Sequence, residues 1–401
     1  MNIAFFVTKF PSLSETFIAN QVIALENTGH TVHIFSQQRP PTDESVHQMV
    51  TDAGLLKKTF YLNDIPQARI GKIKALLCKL ISNMPVRSFQ IVFRSAFKNT
   101  TKLSVYDLIH FLDKPDYNVL HAHFGQNGNY VTELLNLGLY PKAKFITTFH
   151  GYDLDQKLKE NNFYSLLFST CNLFTVNTNY SRNLLIKLGC EENKIKVLPV
   201  GLDSRAFKKI EKTDTNKEIQ LLFVGRLIKL KGPLVFVKIC QLLKEKNAFN
   251  FKAVIIGEGA MFEELKAAIK LANLDEVVEL VGGRTQEEVM QYMDNSDIFV
   301  LPGIVVNGLS EAQGLVIQEA QAMQLPVLIS DAGGMAEGIQ EGITGFVLKQ
   351  NDVEAFAEKI AYLHRYPDEA IRMGKKGRQF VEKNFDVKRL NEKLLEIYNS
   401  N

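Results

Sequence analysis

At 401 residues the chain exceeds what one ordinary hydrophobic core organises, so two domains of roughly 200 residues each are expected. Apolar residues make up 46% and charged residues 23%, a globular composition that argues against a disordered or fibrous chain. The four cysteines, Cys78, Cys171, Cys190 and Cys240, include no CxxC pair; this argues against a disulfide framework or zinc site and suits a reducing cytosol. No run reaches the ~18 apolar residues of a membrane span, and the opening MNIAFFVTKF is too short for a secretion signal. A cytoplasmic protein, soluble or peripheral at a membrane, is expected.

Short apolar runs alternate with amphipathic, helix-length segments. Residues 3–8, 31–36, 118–121, 144–149 and 173–176 predict strands of a first half. Residues 219–224, 251–256, 277–281, 298–301 and 326–330 predict strands of a second. Helical patterns fall between most of them, for example over 15–27, 233–246 and 261–271. Continuous apolar strands separated by helices imply parallel sheets covered on both faces. The fold class is therefore α/β, with two doubly wound Rossmann-like domains, 1–200 and 201–383, joined near KVLPVGLDSRAF. The terminal residues 352–401 predict consecutive helices, the last (about 384–401) crossing back onto the first domain. Ligands of open α/β sheets sit at the carboxyl ends of the strands, so a site in the cleft between two facing sheets is expected.

Two second-half stretches carry chemistry, and a third only resembles one that does. In LLFVGRLIKLKGP, Arg226 and Lys231 follow a strand end and precede a helix beginning at Gly232-Pro233. A guanidinium fork and an ammonium so placed suit a diphosphate whose negative charge grows as it departs, although solvated loop charges would give the same spacing. In SEAQGLVIQEAQAMQLPVLISDAGG, Glu311 lies ahead of a helix that starts near Gly314-Leu315, and Glu319 lies about a turn inside it. The helix start suits phosphate, Glu319 can accept from both hydroxyls of a ribose, and Glu311 can reach sugar hydroxyls; a capped surface helix is the plain alternative. The half-fingerprint Gly257-Glu258-Gly259 has Phe262 where a third glycine would stand, so a close turn explains it better than a dinucleotide site.

The spacing of Glu311 and Glu319 around Gly314-Leu315, together with VGRLIKLKG before it and GGMAEGIQEGITGFVL after it, resembles the EX7E signature of retaining glycosyltransferase family four. The resemblance spans nearly the whole chain and is strongest over 219–348; FPSLSETFI is similar to bacterial exopolysaccharide or colanic-acid-type enzymes. It implies the GT-B fold and a metal-independent retaining hexosyltransferase that needs no cofactor beyond its donor, a UDP- or GDP-sugar. The acceptor it implies is a lipid-linked saccharide. Arg226 and Lys231 would hold the diphosphate, with the backbone of Gly314 and Leu315 facing its distal phosphate. Glu319 would bind the ribose, Glu311 the transferred sugar, and His150 in FITTFHGYDL would lie against that sugar. Catalytic roles would fall to His150, Glu311, Arg226 and Lys231.

The chain departs from the family in two loops. Ser14-Glu15 stands where a glycine pair is expected after the first strand; Glu15 and Thr16 can meet an acceptor hydroxyl, or Ser12 and Glu15 can form a capping box. Val200 replaces the usual asparagine of the interdomain turn. His121 and His123 share one face of a strand end and read as structural histidines, with His123 a further acceptor contact. No carboxylate or cysteine accompanies them, so no metal is expected. From 67 to 106 eight basic residues and no acid contribute +8, leaving −5 for the remainder of a chain with net charge +3. Apolar residues interleave with the cations, which suits an anionic membrane surface or a solvated cationic helix; no nucleic-acid-binding module accompanies them. Rival readings are a nucleotide-sugar epimerase on the same scaffold, a catalytically silent sugar-nucleotide-binding subunit, and a dehydrogenase, the last disfavoured by the missing GxGxxG.

Overall fold

The computed structural model describes residues 1–12, 15–41, 48–64, 108, 110–155, 162–209, 218–247 and 249–400. The basic segment 67–106 and Ser14 lie outside the described residues. Two compact units emerge: Met1–Val176 with Arg182–Leu198 and Asn391–Asn401, and Asn177–Ser181 with Pro199–Leu390. The division departs from the expected boundaries twice. A short piece, Asn177–Ser181, is borrowed by the second unit from within the first, and the chain stays with the second unit as far as Leu390.

The first unit is built on a seven-stranded sheet ordered β3-β2-β1-β4-β5-β6-β7. Its strands are β1 (Asn2–Lys9), β2 (Thr31–Gln38), β3 (Thr59–Tyr61), β4 (Val119–His123), β5 (Lys144–Phe149), β6 (Leu173–Val176) and β7 (Ile195–Val197). The second unit has a six-stranded sheet ordered β10-β9-β8-β11-β12-β13. These strands are β8 (Ile219–Val224), β9 (Phe251–Ile256), β10 (Val278–Gly282), β11 (Ile298–Leu301), β12 (Val327–Ser330) and β13 (Gly345–Leu348). Every strand pair in both sheets is parallel. In both orders the direction of winding reverses beside the first strand of the unit, β1 or β8, and such a reversal opens a crevice at the strands' carboxyl ends.

Among the described residues, the helices of the first unit are α1 (Thr16–Asn27), α2 (Gln48–Asp52), α3 (Gly125–Asn136) and α4 (Ser165–Thr170), with α5 (Asn179–Lys187) beginning in the borrowed piece. Those of the second are α6 (Pro233–Glu245), α7 (Phe262–Leu271), α8 (Gln286–Asn295), α9 (Leu315–Ala322), α10 (Val353–Arg365) and α11 (Pro367–Asn384). The last helix, α12 (Val387–Asn399), begins in the second unit and ends in the first. Strands β6, β11 and β12 are buried along their whole length and so covered on both faces, which is why they read as largely apolar runs. The first core is rich in leucine and threaded by an aromatic cluster, in which Phe35 lies 5.2 Å from Phe6 and 4.8 Å from Phe111 between ring centroids. The second core is mainly aliphatic around buried Phe223, Phe236, Phe299 and Phe356.

Candidate active site

The second unit gathers four charged side chains. After β8 the chain turns through Gly225 and Arg226 into a 3-10 turn, Lys229–Lys231, and then Gly232 opens α6 with Pro233 at its first position. Gly232 has φ 70° and lies so close to Pro302 that a Cβ would fall 1.9 Å from its carbonyl oxygen. Only glycine fits there; it draws Lys231 under the loop that follows β11. The GEG half-fingerprint braces the same turn from the other side: Leu227 N–H donates to Glu258 O at 2.7 Å, and a Cβ on Gly257 would meet Gly225 O at 1.9 Å. Those glycines serve backbone packing.

Lys231 Nζ pairs with Glu311 Oε2, the two side chains being 11% and 17% exposed. Burial pushes the Glu311 carboxyl up, but the Lys231 ammonium, with Arg226 and the Gln313 N–H adding to it, outweighs burial and holds it below the usual carboxylate range. Glu319, on α9, takes the opposite course. Burial raises it to about 7, and Lys231 offsets only part of that cost. Arg226 itself is exposed. The structure therefore brings Arg226, Lys231, Glu311 and Glu319 into one electrostatic group centred on Lys231, beside the N-terminus of α9 where Gly314 is the left-handed N-cap and Leu315 the first helical residue.

The loop holding Glu311 is tied down by residues that spacing did not reveal. Gly334 N–H donates to Glu311 O at 2.8 Å. Thr178 Oγ1 donates to Ala312 O at 2.9 Å, and Ser310 Oγ donates to the Tyr180 hydroxyl at 2.7 Å. Glu337 accepts from Asn179 N–H, Asn179 Nδ2 and Tyr180 N–H at 2.7–2.9 Å, fastening the first turn of α5. Gln313 grips Val200 through both backbone groups at 2.8 Å. Val200 thus contributes its main chain to the loop's support, which a side-chain motif could not have signalled.

The first unit gathers neutral groups instead. His121 and His123 stand at the end of β4, and His150 follows β5. His123 Nδ1 lies 3.1 Å from His150 Nε2, with the two rings stacked at 10° and 5.3 Å. His121 bonds Tyr398 on α12 at 2.7 Å and Thr148 at 2.6 Å. Burial lowers His150 to about 3; burial and the neighbouring His150 lower His121 to about 3; and burial with both neighbouring imidazoles takes His123 well below its ordinary value. Phe17 and Phe124 flank His150 at 4.9 and 4.6 Å between centroids.

Asp153, a residue outside every motif noted above, holds this loop. Fully buried, it accepts from His150 N–H, Gly151 N–H and Gly125 N–H at 2.8–3.0 Å. Burial raises its carboxyl to about 6 despite those three donors. The signal available was HGYD itself, since an aspartate three residues after a strand-end histidine can gather the turn's amides.

The structure departs from the sequence pattern at two residues, His123 and Glu15. His123 is 1% exposed and lies beneath His150, so it meets no acceptor directly. The Ser12–Glu15 capping box does not form: α1 starts at Thr16 with Glu15 as N-cap and no side-chain capping bond. Glu15 keeps a buried Oε2 with no hydrogen-bond partner, and burial, partly offset by Lys9, raises it to about 7. Among the described residues no group of three or more His, Cys, Asp or Glu side chains is arranged to hold a metal ion, and no helix is long and apolar enough to cross a membrane.

Comparison with known proteins places the chain in a family. Residues 14–205 match the family described as Glycosyltransferase Family 4, and 204–380 match Glycosyl transferases group 1. The amylovoran biosynthesis glycosyltransferase AmsK of Erwinia amylovora is 30% identical over 409 residues, covering 99% of each chain. A UDP-Gal:alpha-D-GlcNAc-diphosphoundecaprenol alpha-1,3-galactosyltransferase of Escherichia coli is 26% identical over 317 residues, covering 74% of this chain and 78% of that one. The structure of Anabaena Alr3699/HepE in complex with UDP superposes with a TM-score of 0.72 at 16% identity, over 99% of both chains. The chain belongs to glycosyltransferase family 4 and has the GT-B fold. It is a glycosyltransferase of the type found in exopolysaccharide biosynthesis.

Proposed function

We propose that this glycosyltransferase moves a hexose from a UDP- or GDP-sugar to a lipid-linked saccharide, with retention at the anomeric carbon and without a metal or other cofactor. The observation that carries the reading is the Lys231–Glu311 pair with Arg226 and Glu319 around it. Arg226 and Lys231 hold the diphosphate, the Gly314 and Leu315 backbone faces its distal phosphate, Glu319 accepts from the ribose hydroxyls, and Glu311 engages the sugar. His150 lies against the transferred sugar, and Glu15 and Thr16 meet the acceptor. The bond from the anomeric carbon to the phosphate oxygen breaks while the bond to the acceptor oxygen forms on the same face. The acceptor's proton passes to the departing phosphate, and the cations stabilise the charge that develops there.

Support for the donor comes from HepE, whose structures include complexes with UDP, with UDP and glucose, and with UDP-glucose. Support for the acceptor comes from the diphosphoundecaprenol named for the Escherichia coli relative. Catalysis would take place at the cytoplasmic membrane surface, reached through the basic segment 67–106; sedimentation with anionic liposomes, with and without charge-neutral substitutions there, tests that part. The central test is Arg226→Ala, which should abolish turnover of a nucleotide-sugar panel while leaving the circular dichroism spectrum unchanged. Normal turnover in that variant, or loss of wild-type activity on adding a chelator, would overturn the reading, and NMR of the product anomer decides retention.

A further inference from the structure

The two stacked histidines present a proton-counting problem. His121 has partners on both ring nitrogens. His123 has one, on Nδ1, while its Nε2 is buried with no hydrogen-bond partner. Among the described residues no hydrogen bond reaches His150 Nδ1, and His150 is only half-buried, so Nδ1 is the nitrogen left to meet a ligand.

Both rings are neutral, so each carries one N–H and one bare nitrogen. Where His123 Nδ1 meets His150 Nε2, just one of the two nitrogens holds hydrogen. If His150 were the donor, the His123 proton would have to sit on Nε2, leaving an N–H orphaned beside Phe5 and Phe17, whose rings lie 5.1 and 6.3 Å away. Orphaned buried N–H groups are rare and costly. If His123 donates through Nδ1, its buried Nε2 is a bare nitrogen in an apolar setting and no donor is wasted.

We propose that His123 is a positioning residue that donates Nδ1–H to His150 Nε2 and so commits His150 to the Nδ1–H tautomer. His150 then meets its ligand as a hydrogen-bond donor, suited to a sugar hydroxyl or ring oxygen, and not as a proton acceptor. The ligand part rests on the placement of His150 against the transferred sugar; the tautomer part does not. The aryl-stacked, desolvated setting that holds both imidazoles neutral keeps this arrangement constant across neutral pH.

Long-range 1H–15N correlation on the full chain labelled with 15N-histidine reads the tautomer without substrate. The expected result is Nδ1–H for His150 in the wild type, unchanged between about pH 5.5 and 8.5. The side-chain amide of asparagine can place a donor where Nδ1 stood, so His123→Asn should keep the tautomer and restore turnover. His123→Phe should release His150 to a tautomer mixture and lower kcat by about tenfold. A wild-type His150 protonated at Nε2 overturns the proposal, as does equal loss in the asparagine and phenylalanine variants. Should His123→Phe fail to fold, the wild-type spectrum decides alone. An Nδ1–H tautomer with His150→Phe fully active would instead refute the sugar contact and leave the tautomer assignment standing.

Discussion

The two units place different chemistry at the ends of similar sheets. In the second unit the groups are charged and work by opposing one another: Lys231 holds Glu311 ionised, while Glu319, with less help from the same ammonium, sits near the middle of its titration at neutral pH. In the first unit the groups are imidazoles kept neutral by burial and aimed by backbone amides gathered on Asp153. A charged cluster answers to the field of its neighbours. A neutral one answers to hydrogen-bond geometry, so the two should fail differently when cut.

Lys231→Ala is expected to have the largest effect, lowering kcat by about 10²–10³-fold, because it removes a cation aimed at the departing diphosphate. It should also raise the Glu311 carboxyl, which an isotope-edited infrared titration detects as a late-titrating carboxylic acid. A loss under tenfold would erase the contrast between the units. Asp153→Asn comes next. The amide keeps one acceptor oxygen but turns an NH2 toward a backbone N–H, so kcat should fall about tenfold and the melting temperature by about 5 °C, measured by steady-state kinetics and thermal melts.

Glu319→Gln separates function from stability. Its carboxyl rises from 4.5 to about 7 on folding, so the folded state holds that proton more tightly than the unfolded chain. Ionisation therefore detracts from stability from about pH 4.5 upward, with the full cost reached above pH 7. The glutamine variant should melt about 4 °C higher than wild type at pH 8 and at the same temperature near pH 4.5. Its nucleotide affinity should drop about tenfold at pH 8 and lack the strengthening expected of the wild type between pH 6 and 8 as Glu319 ionises, followed by calorimetry. Wild-type affinity that is flat over this range would break the assignment of Glu319 to ribose. The smallest effect is expected for Tyr398→Phe, which removes one buried bond to His121 at a cost of about 1 kcal/mol and should leave the donor KM unchanged.

The sheets were legible because their strands are apolar on both faces: β5, β6, β8, β9 and β11 fall on the expected residues. The strands that were missed, β3, β7 and β13, lie at sheet edges or are only three or four residues long, where the apolar run is too brief to stand out. In the second unit the site could be read because Lys231, Glu311 and Glu319 sit on short stretches with fixed spacing to a helix start. In the first unit it could not. The donors to Asp153 are main-chain amides from the turn after β5 and from the first residue of α3, and the tie to Tyr398 spans 277 positions. Ser12 and Glu15 match a capping pattern, yet the N-cap falls three residues past Ser12, at Glu15 itself, whose side chain makes no capping bond.

The borrowed piece Asn177–Ser181 has a practical consequence for recombination. A chimera that exchanges halves with a relative at the linker near residue 200 would pair a foreign Thr178–Tyr180 turn with the native Ser310–Ala312 loop and a native Glu337. Its seam would look conservative along the chain and still unsettle the loop that carries Glu311. Hybrids of this enzyme should therefore carry that five-residue inset together with the later half, as one exchangeable block.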